Sequence, residues 1–554
     1  MTGLPIYIIK LLMQYGQEFD TNIRASLLNL SPYFLLYAPK ILLFIFSFFT
    51  DRIVWNILKS RECRQAHNFE NSTKSTLLSK SNFLFLIYSF FFTSLVFHTR
   101  TFSNTISSAL LALLFMLEIK RRESGRNNYY LIIYGFIFTL GFFSNFIYAF
   151  YSVTVILMVI TLPLFESPSF SSGLSQLFKN LLVFGFSTLF FFSLMIGLDT
   201  LFYSNVLSSN YQNSFRYIFY KLELIDDWNS KSLPSFFNFP IYITPINNII
   251  YNSYVENLAL HTLHFRGLHF FVNMPLLFGC TFFVIIFKMI MWIFKLITRN
   301  FGTNNWNSNA VPITQVPYII WLSFFSWLAG IAILSIAPHQ EPRFILPSYC
   351  PWIIMLGYDF ETQSQGKKND NASANHQNES KWKYQSKTFL SLCILHGILV
   401  SLFYLFVHQA GVVKSLISIP QLINKSQSSS SSNTRVIYHN TYSPPGYLLS
   451  YYHPNITVLG LEGIDNSTLF NEHLQRELEN HDQVVLVGPT YFNEALLNKS
   501  SYPSIKLLSE YLHYSTETTR WSEISNHLSP NNRLKEFIDS DLTLQVLLLS
   551  KTKN

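Results

Sequence analysis

The chain has 554 residues and a net charge of +8; it is 49% hydrophobic and 17% aromatic, with only 13% charged residues. A soluble domain carries about 25% charged residues, so this balance excludes an ordinary soluble protein. The long apolar runs point to membrane-spanning helices, since barrel strands are much shorter, and the basic excess lies in loops beside them, where it sets topology rather than binding nucleic acid.

In chain order, residues 1–32 read as a loop with an amphipathic helix. Apolar spans follow at 33–50, 82–98, 105–118, 129–145, 147–165, 181–198, 276–297, 318–337, 343–358 and 388–408. About ten transmembrane helices give an all-α polytopic membrane domain over 33–408. Spans 105–118 and 343–358 are short enough to be re-entrant. The run 129–165 is too long for one helix and is split near Ser144-Asn145. With ten spans, the Lys- and Arg-rich loops 51–81, 119–128 and 359–387 all fall on one side, which makes that side cytoplasmic. The opposite, luminal side receives the turn 99–104, the long loop 199–275, the turn 338–342 and everything after 409.

Residues 366–387 are polar and read as unstructured. The Ser-rich stretch "KSQSSSSSNT" makes 409–434 a linker. Residues 435–554 form a small mixed α/β luminal domain, in which "VVLVGPTYF" reads as a strand and 506–513 as an amphipathic helix. Four sequons in the tail, at Asn424, Asn455, Asn466 and Asn498, fit glycosylation in the secretory lumen. Asn71, Asn371 and Asn378 head similar sequons in the cytoplasmic loops, so the pattern alone does not fix the side. The four cysteines show neither metal spacing nor a disulfide framework.

Three clusters on the luminal side carry ionisable residues. They are "HTRTFSN" at 98–104, the stretch 243–279 with Asp199 at the start of its loop, and "HQEPR" at 339–343. Each alone reads as a charged interfacial turn or a surface helix whose long side chains snorkel. Together, Arg100, His261, His264, Arg266, His269, His339, Glu341 and Arg343 place a cationic surface with one carboxylate at headgroup level. Arginine binds phosphate through paired hydrogen bonds, and a lipid-linked sugar donor presents its phosphate at this level.

"HQEPRF" resembles the His-Lys-Glu-x-Arg-Phe signature of the glycosyltransferase family 22 mannosyltransferases. "ITPINNIIYNS", "NLALHTLHFR", "VNMPLLFG", "RTFSN" and "YHNTYSPPGYLL" at 438–449 are similar to the branch that adds the fourth mannose to the glycosylphosphatidylinositol (GPI) precursor. The resemblance implies a GT-C type glycosyltransferase in the endoplasmic reticulum membrane. It further implies dolichyl-phosphate mannose as donor, the third mannose of the GPI-precursor glycolipid as acceptor, and an inverted alpha-1,2 bond. No acidic metal-ligand cluster is visible in the sequence, and no metal or cofactor is expected. In that frame His339, Arg343, Arg100 and Arg266 hold the donor phosphate. His261, His264 and His269 meet the acceptor. Asp199 and Glu341 are the catalytic carboxylates, Glu341 also orienting Arg343. Rival readings are another member of the family, a transporter or scramblase, and a non-catalytic glycolipid-binding protein.

The sequence departs from the pattern at Gln340, where the family has Lys, and at Thr262 and Phe265. Gln340 is expected to remove a positive charge beside the phosphate. The family's opening helix and its His-Pro-Asp-Glu type motif, which carries the favoured base, are not found ahead of "MTGLPIYIIKLL". The expectation is that they lie upstream of Met1.

Overall fold

The computed structural model describes residues 32–60, 63, 80–97, 103–125, 127–208, 242–254, 265–300, 315–358, 372–408 and 410–426, and beyond them most of 433–514 together with 542–550. The membrane part contains α1 (Pro32–Lys59), α2 (Lys80–Ser89), α3 (Ser103–Glu123), α4 (Tyr129–Ser144), α5 (Ile147–Thr161) and α6 (Phe170–Ser208). It continues through α7 (Thr244–Ser253), α8 (Met274–Phe278), α9 (Cys280–Asn300), α10 (Tyr318–Ile336), α11 (Tyr349–Leu356) and α12 (Ala372–Phe406). The expected apolar spans overlap helical structure, but six helices among the described residues, against the ten spans expected, are long and apolar enough to cross a membrane. The segment 105–118 belongs to one of these six, Ser103–Glu123. By contrast, 343–358 forms a 3-10 turn, Pro342–Ser348, followed by α11, every residue of which is buried. At eight residues, α11 is about 12 Å long and cannot span.

The split at Asn145 has a local cause. Its side-chain carbonyl accepts the Ile147 N–H at 3.1 Å and so caps α5, while its amide donates to Ser103 Oγ and Asn104 Oδ1 on α3. The core of the bundle is formed by α3, α5, α10 and α11, with Trp352, Tyr148, Tyr151 and Phe115 fully buried. Helix α6 lies outside it: Phe186, Leu189 and Phe190 are 70%, 67% and 66% exposed. In water such a surface would be unstable; lipid covers it.

Two stretches expected to be irregular are helical. α12 begins at Ala372, inside the polar stretch 366–387. The stretch read as a linker contains α13 (Ala410–Ser426), whose Val412, Leu416, Ile419 and Ile423 recur at helical spacing and pack on a sheet.

That sheet has strands β1 (Thr434–His439), β2 (Ile456–Leu461), β3 (Gln483–Pro489), β4 (Ser504–Leu512) and β5 (Thr543–Ser550), in the order β2-β1-β3-β5-β4. β1 runs parallel to β2 and β3; β5 is antiparallel to β3 and to β4. Strand alternation sends Val436, Tyr438, Val485 and Val487 toward α13. Ile437, Val484 and Leu486 face α14 (Ser467–Asn480) on the other side. The expected helix at 506–513 is instead β4. Its apolar residues fit a helical spacing, but pairing with β5 decides the conformation, and a bulge between Leu507 and Ser509 absorbs the mismatch. The sheet joins the membrane part where the Tyr514 N–H donates to the Val407 carbonyl at 3.1 Å.

Candidate functional site

The HQEPR turn is shaped by two prolines. A residue preceding proline is driven to extended backbone. Ala337, before Pro338, therefore ends α10 at φ −69°, ψ 136°, and Glu341, before Pro342, sits at φ −105°, ψ 145°. In extended backbone, side chains alternate in direction. His339 and Glu341 thus share one side and Gln340 takes the other.

Glu341 bridges its neighbours. Its Oε1 lies 2.8 Å from His339 Nε2 and accepts from Arg343 Nη2, also at 2.8 Å. Arg343 Nε pairs with Oε2, completing a two-point contact. Burial pushes the Glu341 carboxyl up, but the His339 hydrogen bond and the Arg343 charge outweigh it and hold the group below its ordinary value. The carboxylate is therefore ionised at neutral pH. Side-chain exposure rises outward, from 10% at His339 and 15% at Glu341 to 38% at Arg343. The turn presents a guanidinium whose orientation is set by a half-buried carboxylate.

Gln340 points inward and is 1% exposed. Its Oε1 accepts the His269 backbone N–H at 2.9 Å. Its amide donates to the carbonyls of Arg266 at 3.0 Å and Ala337 at 3.1 Å, with Ser335 at 3.3 Å. The position expected to subtract a charge from the phosphate site is thus a buried tie between the HQEPR turn and the segment 266–269. His269 has no exposed surface; it opens the π-helical turn His269–Asn273. Asn273 Nδ2 donates to its Nδ1 at 3.0 Å, and its ring packs edge-on against Phe344. His269, expected to meet the acceptor, thus contacts the protein interior. Arg266 is exposed beside it.

The 3-10 turn after Pro342 is held by side chains from the surrounding helices. Tyr151 Oη donates to the Phe344 carbonyl at 3.1 Å and Ser108 Oγ to the Leu346 carbonyl at 2.7 Å. Tyr349 Oη reaches the Leu277 carbonyl at 3.2 Å. Nothing in the sequence distinguishes Tyr151 or Ser108 from other residues of apolar spans.

Asp199 lies apart from these ties. Its Oδ2 accepts the Thr244 N–H at 3.1 Å and the Thr244 hydroxyl at 2.6 Å. Thr200 Oγ1 accepts the Tyr242 N–H at 3.2 Å. The two residues tie the end of α6 to residues 242–244, where α7 starts. Arg100, His261 and His264, and the sequons at Asn466 and Asn498, lie outside the described residues. Asn424 falls in α13, and Asn455 is exposed in the turn before β2.

Several helices long and apolar enough to cross a membrane, with a carboxylate-braced arginine in the turn that follows one of them, define a polytopic membrane protein. The sequence profile of the Alg9-like mannosyltransferase family matches residues 17–451, and the chain belongs to that family. It is similar to the GPI mannosyltransferase 4 of Schizosaccharomyces pombe, 24% identical over 440 residues, which are 76% of this chain and 61% of that protein. It is 28% identical to the Emericella nidulans protein of the same name over 295 residues, 48% of this chain and 46% of that one. With the Debaryomyces hansenii protein, also of that name, it shares 29% over 207 residues, 37% and 32% of the two chains. The chain therefore spans less than two thirds of the length of these relatives. No solved structure matches it.

Proposed function

We propose that the chain transfers mannose from dolichyl-phosphate mannose to the third mannose of the GPI precursor, forming an alpha-1,2 bond with inversion. The observation that carries this reading is the Glu341-braced pair of His339 and Arg343, taken with relatives named GPI mannosyltransferase 4. In this reading the luminal face of the endoplasmic reticulum membrane holds the site, and the sheet domain is luminal too.

The departing dolichyl phosphate gains negative charge as the glycosidic bond breaks. Arg343, pre-aimed by Glu341, stabilises that charge without having to reorganise, and His339 supports it from the same side. Both Glu341 oxygens are already engaged, so its role is to orient. Asp199 uses Oδ2 for Thr244, which leaves Oδ1 to meet an acceptor hydroxyl and take its proton. Gln340 fixes the spacing of Arg266 from the turn.

The test is donor affinity of the full chain in lipid nanodiscs. Losing a charge-assisted hydrogen bond costs about 1.5–3 kcal/mol, roughly tenfold or more in affinity. Arg343→Ala should weaken dolichyl-phosphate mannose binding by at least that factor, and His339→Ala by less. Asp199→Asn should lower turnover while leaving donor affinity intact. Unchanged donor binding in folded Arg343→Ala protein would overturn the assignment.

A further inference from the structure

The carboxyl edge of the C-terminal sheet carries a second polar cluster that the reaction above does not use. β1 is followed by Asn440 and Thr441, and β3 by Thr490 and Asn493. Together with His439, these five residues are all buried, between 1% and 9% exposed. They come from the motif at 438–449 and from the turn after β3, the two segments that leave neighbouring parallel strands.

Three observations converge there. The first is topological. β1 lies between β2 and β3, so the chain leaves β1 to one side and returns on the other. In open α/β sheets the crevice outside the carboxyl ends at such a switch point is where ligands bind. The second is an orphan. Asn440 is 9% exposed, and its side-chain Nδ2 is buried with no hydrogen-bond partner. A buried amide donor is costly unless something accepts from it. The third is backbone strain. Asn440 has φ +48°, the sole non-glycine residue with positive φ among the described residues. Held strain of this kind gathers at ligand sites.

The chemistry of the cluster is neutral. His439 Nε2 donates to Asn493 Oδ1 at 2.7 Å, and Asn493 Nδ2 is fixed in turn by the Gly488 carbonyl at 3.2 Å. Gly488 permits this arrangement, since a Cβ there would lie 2.1 Å from His439 Nε2. Burial holds the His439 ring far below its ordinary pKa, at about 4, against the smaller opposing pull of Asn493. The ring is uncharged at neutral pH. Amide, imidazole and hydroxyl groups without charge suit hydroxyls, which both donate and accept, rather than an anion.

We propose that the carboxyl edge of β1 and β3 is a sugar-binding site that takes a hexose unit through Asn440, Thr441 and the His439–Asn493 pair. The choice of a hexose over other neutral polyols rests on the glycan reading above; the site itself does not. It would hold a glycan away from the HQEPR turn, on the domain that follows the last membrane helix.

The test is photoaffinity labelling of the full chain in nanodiscs with an alpha-1,2-mannobiose carrying a diazirine, followed by peptide mapping. Labelling of the segments after β1 or β3 is expected, competed by free mannobiose and not by inorganic phosphate or myo-inositol. Asn440→Gly keeps the left-handed backbone accessible while removing the amide and should reduce that labelling about tenfold. Thr441→Val provides a second variant should Asn440→Gly fail to fold. Persistence of the label in Arg343→Ala protein separates this site from the donor site. Labelling confined to the membrane domain, competition by phosphate, loss in Arg343→Ala, or equal labelling in both tail variants would overturn the proposal.

Discussion

The backbone N–H of His269 donates to Gln340 Oε1 at 2.9 Å, joining segments 71 residues apart in the chain. The same side chain holds the Arg266 and Ala337 carbonyls. One amide thus sets how far Arg266 stands from Arg343. Gln340→Leu would leave a buried N–H and buried carbonyls unpaired, at about 1–3 kcal/mol each. Gln340→Lys can still donate to the carbonyls but cannot accept from His269. The expected order of thermal midpoints in nanodiscs is wild type, then Gln340→Lys, then Gln340→Leu, with donor affinity following the same order. Equal midpoints would show that the tie carries no weight.

Gly330 of α10 couples packing to the site. A Cβ at this position would lie 2.1 Å from the Tyr151 ring, and Tyr151 is the residue that holds the Phe344 carbonyl next to Arg343. Gly330→Ala should therefore cost about 1–3 kcal/mol by overpacking and weaken donor binding as well. Tyr151→Phe removes the hydrogen bond and keeps the ring. It should cost about 1 kcal/mol and weaken donor binding less than Gly330→Ala. Comparing unfolding and donor titration for the two variants separates displacement of the turn from loss of one bond.

The membrane helices were legible because lipid demands long apolar runs, and that demand acts on each segment alone. The break at Asn145 was legible for the same reason: one run exceeded one bilayer. β4 was misread because its conformation is imposed by β5, which lies about 30 residues further along the chain. The apolar side of α13 shows the same limit: it packs on the sheet, and spacing gives that only after the neighbour is known. At the site, the charged residues of HQEPR stood out against apolar surroundings. The direction of Gln340 did not, because it follows from the extended backbone imposed by Pro338 and Pro342. Tyr151 and Ser108, which position the turn, are ordinary residues of apolar helices by sequence.

A buried charge pair lies at the Lys- and Arg-rich end of α3. Arg121 Nε donates to Glu118 Oε2 at 2.7 Å and Nη2 to Oε1 at 3.2 Å, and Tyr134 Oη donates to Oε2 at 2.9 Å. Both charged side chains are at most 2% exposed. Arg121, counted in the sequence as a topology-setting loop residue, is thus part of the core. Removing one partner strands the other charge. Glu118→Gln or Arg121→Met alone should cost about 3–5 kcal/mol, while the double variant should lose much less than the sum. Additive losses in a double-mutant cycle of unfolding free energies would exclude the pairing.

The sheet domain should weaken in mild acid, and the sign follows from two histidines. Burial lowers His513 to about 4, and burial, opposed by Asn493, lowers His439 to about 4 as well. An unfolded histidine titrates near 6.5. Between these values the unfolded chain binds protons that the folded domain refuses, so stability rises with pH across that window. The contribution is complete above about 6.5, falls by about 1.4 kcal/mol per pH unit for each histidine on acidification, and levels off below about 4. Neither ring nitrogen of His513 has a hydrogen-bond partner, so His513→Leu breaks no hydrogen bond while deleting one titration. Hydrogen exchange of β1 and β3 amides at pH 7, 6 and 5, corrected for intrinsic rates, should show protection falling with acid. His513→Leu should roughly halve that slope. An unchanged slope in the variant would assign the acid sensitivity elsewhere.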